Sequence, residues 1–501
     1  MAIESSGFTV ALPIPGHVFV QAFTPPLPLI FCLIAAGLAV AVSFILVAFF
    51  ARNPQAFLGY PRINLLKWKT MQFLNDPALL FPIQFISVFL LILLVSVGFV
   101  GNQNPLHNLS PTFVWVIWWV GIAYASAFIG DIWAFTNPWK ILFVWTEKLW
   151  VKMSSGKPFY PMFQYPPKFG VWPALVLFGL FAWVENVYGG ASIPFRISQM
   201  IVVYSIITWG GMILFGKDIW LRNGEAFSVA FGFLARFAPA EASEVKSKSS
   251  STFARAGSNY SFKDEFVPSS RSDFSSLTML NLRPFASGLL NTGTVSVSQM
   301  LFVLVFLATV TFDGFAATLL WIKFKGFMQE YLPDLWMIST LGLVSTVLIF
   351  VALYLCVCAL VGKASRIDMK VLDVGKAFVY TLIPIALAYH VAHFLLFLLI
   401  QGQLIVPLVS DPFGFGWDLF GTANYRLNFQ IVSPNSYWLI SVISIVIGHI
   451  VAVFLGHSTA FSLISKRHYA LRSQIPMLVL MVAYTIASLW IITQPMYMAQ
   501  M

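Results

Sequence analysis

The sequence predicts an all-α membrane protein: a polytopic bundle of about ten transmembrane helices with both termini outside. Three observations predict it. The composition is far too apolar for a soluble domain, the apolar residues come in span-length runs, and the positive charges alternate between the ends of those runs. Of 501 residues, 59% are hydrophobic and 10% charged, with a mean hydropathy of +0.82. Soluble domains carry about 25% charged residues. An ordinary soluble enzyme, a wholly disordered chain and a secreted disulfide scaffold are therefore excluded.

Runs of about 20 apolar residues mark membrane spans. Ten are expected, at 28–50, 79–99, 112–131, 171–189, 197–216, 294–313, 338–361, 374–400, 436–457 and 475–493. The five loops after odd-numbered spans hold 4, 5, 9, 4 and 3 Lys and Arg residues, counting Lys376 at the inner end of span 8 with the fourth. Everywhere else there are only Arg196, Lys323, Lys325 and Arg426. Positive loops stay in the cytoplasm, so the odd loops are expected inside and both termini outside. This distribution also accounts for the net charge of +10 through topology and anionic lipid, and no nucleic-acid partner is expected. No cleavable signal is expected either, because residues 1–27 lack a basic n-region.

The chain divides into 1–237, with spans 1–5 and interfacial helices; 238–285, a flexible cytoplasmic loop; and 286–501, with spans 6–10 and a folded outside loop at 401–435. In the first part, LPIP at 12–15 and a further proline pair at 25–26 disfavour helix, and His17 there is expected to be hydrated. The loop 131–170 begins GDIWAFTNPWK and continues ILFVWTEKLW, a helix suited to the headgroup zone; KPFYPMFQYPP then reads as an aromatic belt. In NGEAFSVAFGFLARFAP, Phe227, Phe231 and Leu234 repeat at helical spacing, predicting a second interfacial helix. Serine-rich 240–282 reads as flexible. The glycines and aromatics of SDPFGFGWDLFGTANYRLNFQIVSPNS predict a cap over the bundle mouth.

Ionisable groups inside a membrane are costly and therefore functional candidates. His390 and His393 sit in AYHVAHF of span 8, and His449 sits in GHIVAVFLGH of span 9, with His457 closing that motif. By helical rise, His390 lies about 15 Å and His449 about 20 Å from the outer face. The three imidazoles are thus expected at similar depth, and Pro384 is expected to kink span 8 and open space beside them. Three histidines with one open position suit a divalent metal, zinc first. Glu185 and Asp313, at the outer ends of spans 4 and 6, are the candidate catalytic carboxylates, as general base or as partners of the imidazoles. A single haem between His390 and His449 is the alternative. Asp131 is expected to serve a helix end. Cys32, Cys356 and Cys358 lie in apolar stretches and read as small core residues. G-x-S-x-G, H-E-x-x-H and P-loop motifs are absent. Five-plus-five spans would also suit a transporter, although no repeat is visible between the halves.

Several segments in order resemble the bacterial membrane proteins known as fenitrothion hydrolase or its subunits. These are LPIP, TFVWVIWWVG (112–121), GDIWAFTNPWK (130–140), NGEAFSVAFGFLARFAP (223–239), TFDG (311–314), AYHVAHF (388–394), SDPFGFGWDLFGTA (410–423) and the GH…GH stretch (448–457). The resemblance covers most of the chain but not the serine-rich insert. It implies hydrolysis of an apolar organophosphorus triester in a bacterial inner membrane, with a second membrane subunit as partner. It supplies no catalytic residues, so the site expectations rest on burial. A redox subunit carrying haem or copper, or a transporter or assembly factor, are the other classes compatible with buried histidines.

The topology yields a first prediction. Cysteines introduced as Ser250→Cys and Lys466→Cys should react with an impermeant maleimide only from the cytoplasmic side; labelling from outside would overturn the orientation.

Overall fold

The computed structural model describes residues 29–50, 62–68, 70–71, 76–243, 279–290, 293–366 and 368–494. His17, the LPIP segment and the interior of the serine-rich insert lie outside the described residues. So does the side chain of Cys32.

The chain is helical almost throughout, and each expected span has a helix at its position. The helices are α1 Leu29–Phe50, α2 Pro77–Val100, α3 Leu109–Phe128, α4 Pro138–Met153, α5 Trp172–Asn186, α6 Pro194–Phe215 and α7 Ala226–Ala235. They continue as α8 Val297–Ala316, α9 Leu319–Met328, α10 Leu335–Ser365, α11 Ile383–Gln401, α12 Pro434–Leu463 and α13 Ile475–Thr493. Among the described residues, nine helices are long and apolar enough to cross a membrane. In the first expected span, a shorter apolar stretch, Leu33–Leu46, qualifies by composition but not by length.

Local chemistry sets the helix starts. Asp76, Ser296, Asp334 and Ser433 each accept a backbone N–H in the first turn of α2, α8, α10 and α12. At α8, Ser296 and Gln299 form a reciprocal capping box, which satisfies two amides that the helix itself leaves unbonded. Pro77 and Pro434 occupy the first turns of α2 and α12, where no N–H is needed.

Outer helices present apolar stripes to their surroundings. On α2, Phe81, Phe85, Phe89 and Ile92 are exposed at helical spacing, as expected of a lipid-facing surface. The central helices, α8 and α11, are buried on most sides. α11 and α12 make the most extensive helix contact. Gly448 permits it: a Cβ there would lie 2.4 Å from Ala388 Cβ and 2.7 Å from the Pro384 carbonyl.

One expectation is corrected. α7 is buried on every side rather than on one face. Phe227, Phe231 and Leu234 are buried as expected, but so are Val229, Ala230, Phe233 and Ala235. A helix that is apolar all round belongs in the interior, and α7 packs against α3 and α5. Its N-cap, Glu225, is fully buried and accepts from Phe227 N, Ser228 N, Ser228 Oγ, Tyr204 Oη, Trp133 Nε1 and Asn137 Nδ2. This knot ties GDIWAFTNPWK to NGEAFSVAF. Asp131 serves a helix end, accepting from Ala134 N. α4 is half buried, with Trp139 and Phe143 inward and Leu149, Trp150 and Met153 exposed. Tyr160, Met162 and Phe163 beyond it are exposed.

The two ends of the bundle are closed differently. At one end, strands β1 Ile63–Asn64, β2 Ala240–Ser243 and β3 Met279–Leu282 form an antiparallel sheet in the order β1-β3-β2. Glu241 bridges Arg283 at 2.8 Å and Arg62 at 3.1 Å, and the Arg283 guanidinium also donates to the Ala235, Arg236 and Ala238 carbonyls. At the other end, the loop after α11 is pinned across the bundle. Asn102 N donates to Phe413 O at 2.7 Å and Leu109 N to Pro412 O at 3.2 Å. Gly414 takes φ +69°, and a side chain there would strike the His107 carbonyl at 2.1 Å. Backbone N–H groups, Ala423 first, hold the Asp418 carboxyl below the usual carboxylate range.

The sheet end generates a prediction. Glu241→Ala removes the carboxylate that pairs with the buried Arg283. Breaking one partner of a buried ion pair costs about 3–5 kcal/mol, so thermal unfolding in detergent should shift down clearly; an unchanged midpoint would contradict this role.

Candidate functional site

Towards the capped end of the bundle lie the candidate carboxylates and two of the candidate histidines. Asp313 lies in the last turn of α8 and Glu185 in the last turn of α5. His390 and His393 lie one turn apart near the middle of α11. His393 Nε2 is 2.8 Å from Asp313 Oδ2. The imidazole is fully enclosed, whereas the Asp313 side chain keeps 14% of its surface open. A carboxylate only accepts, so Nε2 is the donor of this pair.

These residues close into a ring. The Glu185 carboxyl is within electrostatic reach of Asp313 and lies beside Trp119. Trp119 meets His390 edge to face at 5.9 Å between centroids. His390 is in turn within electrostatic reach of His393 and Asp313. The sequence expectation named Glu185, Asp313, His390 and His393, and the structure brings these four together.

It does not add His449 to them. His449 Nδ1 donates to the Ile445 carbonyl at 2.8 Å, and its ring faces Tyr484 of α13 at 5.9 Å. Tyr484 Oη is 2.6 Å from Thr311 Oγ1 on α8. The third imidazole therefore sits in a neighbouring tyrosine–threonine cluster. His457 lies further along α12, with Nδ1 3.1 Å from Gln474 Oε1.

The metal and haem expectations can be tested against this geometry. Taken singly, His393 and His449 look like ligands, each donating one ring N–H to an acceptor, as metal-bound histidines do. Taken together, the donors do not converge: among the described residues, no three His, Cys, Asp or Glu side chains lie close enough to hold an ion. His390, His393 and His449 therefore do not form the expected three-imidazole set. The single-haem alternative meets a steric objection. A porphyrin between His390 and His449 needs α11 and α12 apart, and they touch at Gly448 and Ala388. Depth alone brought the three histidines together in the sequence; rotation of each side chain about its helix separates them.

Sequence reasoning missed the aromatic members. Trp119, Tyr124 and Tyr389 are spread through apolar runs, and no ionisable group drew attention to Trp119 or Tyr124. Residues 112–121 are π-helical, and such wide turns often mark functional sites. Tyr389 stacks on His393 at 6.1 Å, and its hydroxyl sits over Gly314, where a Cβ would come within 2.2 Å. That contact explains glycine after Asp313 in TFDG.

No family model, curated protein or solved structure matches this chain. The class that fold and site define is a polytopic helical membrane protein with a carboxylate–imidazole centre inside the bundle.

Gly448→Val should force α11 and α12 apart. Overpacking of this kind costs about 1–3 kcal/mol, so a lowered unfolding midpoint in detergent is expected; unchanged stability would mean the helices are not in contact there.

Proposed function

We propose that this protein is a membrane-embedded hydrolase of apolar organophosphorus triesters. In this reading it spans a bacterial inner membrane ten times with both termini outside, and a second membrane subunit is its partner. The observation that carries the reading is the Asp313–His393 pair at 2.8 Å, with Glu185 close by. The resemblance of the segments around it to fenitrothion hydrolases supplies the substrate class.

The chemistry needs a base, a water and an enclosure that admits an apolar molecule. His393 is the base. Its Nδ1 takes a proton from water as the water oxygen attacks phosphorus. The P–O bond to the aryl group breaks, and the aryl oxide leaves with the electron pair. Asp313 accepts from Nε2–H throughout, fixing the tautomer and stabilising the imidazolium that forms. Glu185, beside Asp313, orients the water. A lipophilic substrate concentrates in the bilayer and reaches the partly open carboxylates from the side of the bundle. Each step is assigned to the chain's own residues.

A general base contributes about 10²–10⁴-fold to rate. With a diaryl or dialkyl aryl phosphotriester and full-length protein in nanodiscs, His393→Ala should lower kcat by that factor, and Asp313→Asn should lower kcat more than it changes KM. A wild-type protein with no turnover, or a His393→Ala variant as active as wild type, would overturn the reading. Substrate-dependent flux across proteoliposomes without hydrolysis would replace it with transport.

A further inference from the structure

His390 is the least explained group in the bundle. It is 1% exposed, and neither ring nitrogen has a hydrogen-bond partner. Leaving a buried donor or acceptor unbonded is destabilising, and a phenylalanine would fill the same space without that cost. His393, one turn away, is bonded to Asp313, whereas both nitrogens of His390 are without a partner.

Its surroundings are aromatic. Trp119, Tyr124 and Phe394 approach the imidazole with ring centroids at 5.9, 5.5 and 4.6 Å. Two of the three rings come from α3, Trp119 from its π-helical part and Tyr124 just beyond. Tyr124 Oη donates to the His390 carbonyl at 3.2 Å, which fixes α3 against α11 at this level. The hydroxyl of Tyr389, the preceding residue, also has no partner and is fully buried. A polar N–H inside an aromatic box, beside the His393–Asp313 base, suits a molecule with one strong acceptor oxygen and flanking aryl groups.

We infer that His390, with Trp119, Tyr124 and Phe394, forms the subsite that recognises an aryl phosphoryl group, its N–H donating to the P=O oxygen. This deepens the hydrolase reading and rests on it for the substrate class, but binding is measurable without turnover. His390 acts on the substrate as donor and His393 acts on the water as base. Hydrogen bonding to the phosphoryl oxygen withdraws electron density from phosphorus and favours attack there.

The test uses triphenylphosphine oxide, which has the phosphoryl oxygen and the aryl rings but no leaving group. Full-length protein in nanodiscs should bind it saturably, with a downfield ³¹P shift reporting a hydrogen-bonded phosphoryl oxygen. His390→Phe should bind at least tenfold more weakly, and His390→Gln, which keeps an N–H donor, should recover part of that loss. Absence of saturable binding, an unshifted ³¹P signal in the wild-type complex, or unchanged binding by folded His390→Phe would each overturn the inference. If His390→Phe does not fold, the wild-type ³¹P shift still decides. Failure of hydrolysis with intact binding would count against the base and leave the subsite standing.

Discussion

The hydrogen bond between Asp313 and His393 is the constraint around which the centre of the molecule is arranged. A carboxylate and an imidazole cannot both be enclosed among apolar helices unless each answers the other. The bond joins α8 to α11, the two most enclosed of the membrane-length helices described. It also fixes which ring nitrogen bears the proton. Tyr389 stacks on the same imidazole and reaches over Gly314, so the dyad is held from two sides. Glu185 and Trp119 bring α5 and α3 to the same place. Four helices therefore meet at one polar point.

Each end of the bundle is closed by its own polar contacts. At one end, the Arg62–Glu241–Arg283 cluster gathers strands from two distant parts of the chain. At the other, the glycine- and aromatic-rich loop bonds to the backbone between α2 and α3. The fully bonded Glu225 knot holds α7 beneath α3. Buried polar groups of this kind are satisfied several times over. The contrast with His390, whose nitrogens have no partner, is what separates a structural polar group from one that awaits a ligand.

Much of the fold was legible in the sequence because its signals are one-dimensional. Apolar runs gave the helix positions to within a few residues, since a bilayer sets a minimum length. Ser296, Asp334 and Ser433 mark helix starts by local chemistry that needs no tertiary context. α7 was misread for a corresponding reason. The spacing of Phe227, Phe231 and Leu234 describes one apolar face, but a helix's depth depends on what packs against its other faces.

The sequence by itself determined the class of protein, the span positions, and which ionisable residues had to be explained: Glu185, Asp313, His390, His393 and His449. These follow from hydropathy and the cost of buried charge, both properties of residues in order along the chain. Only the tertiary structure decided how they group. Helix rotation and crossing turned His393 to Asp313, His390 into an aromatic box and His449 away to Tyr484. Residues at one depth can point in any direction around a helix axis, and direction is settled by packing between helices far apart in sequence.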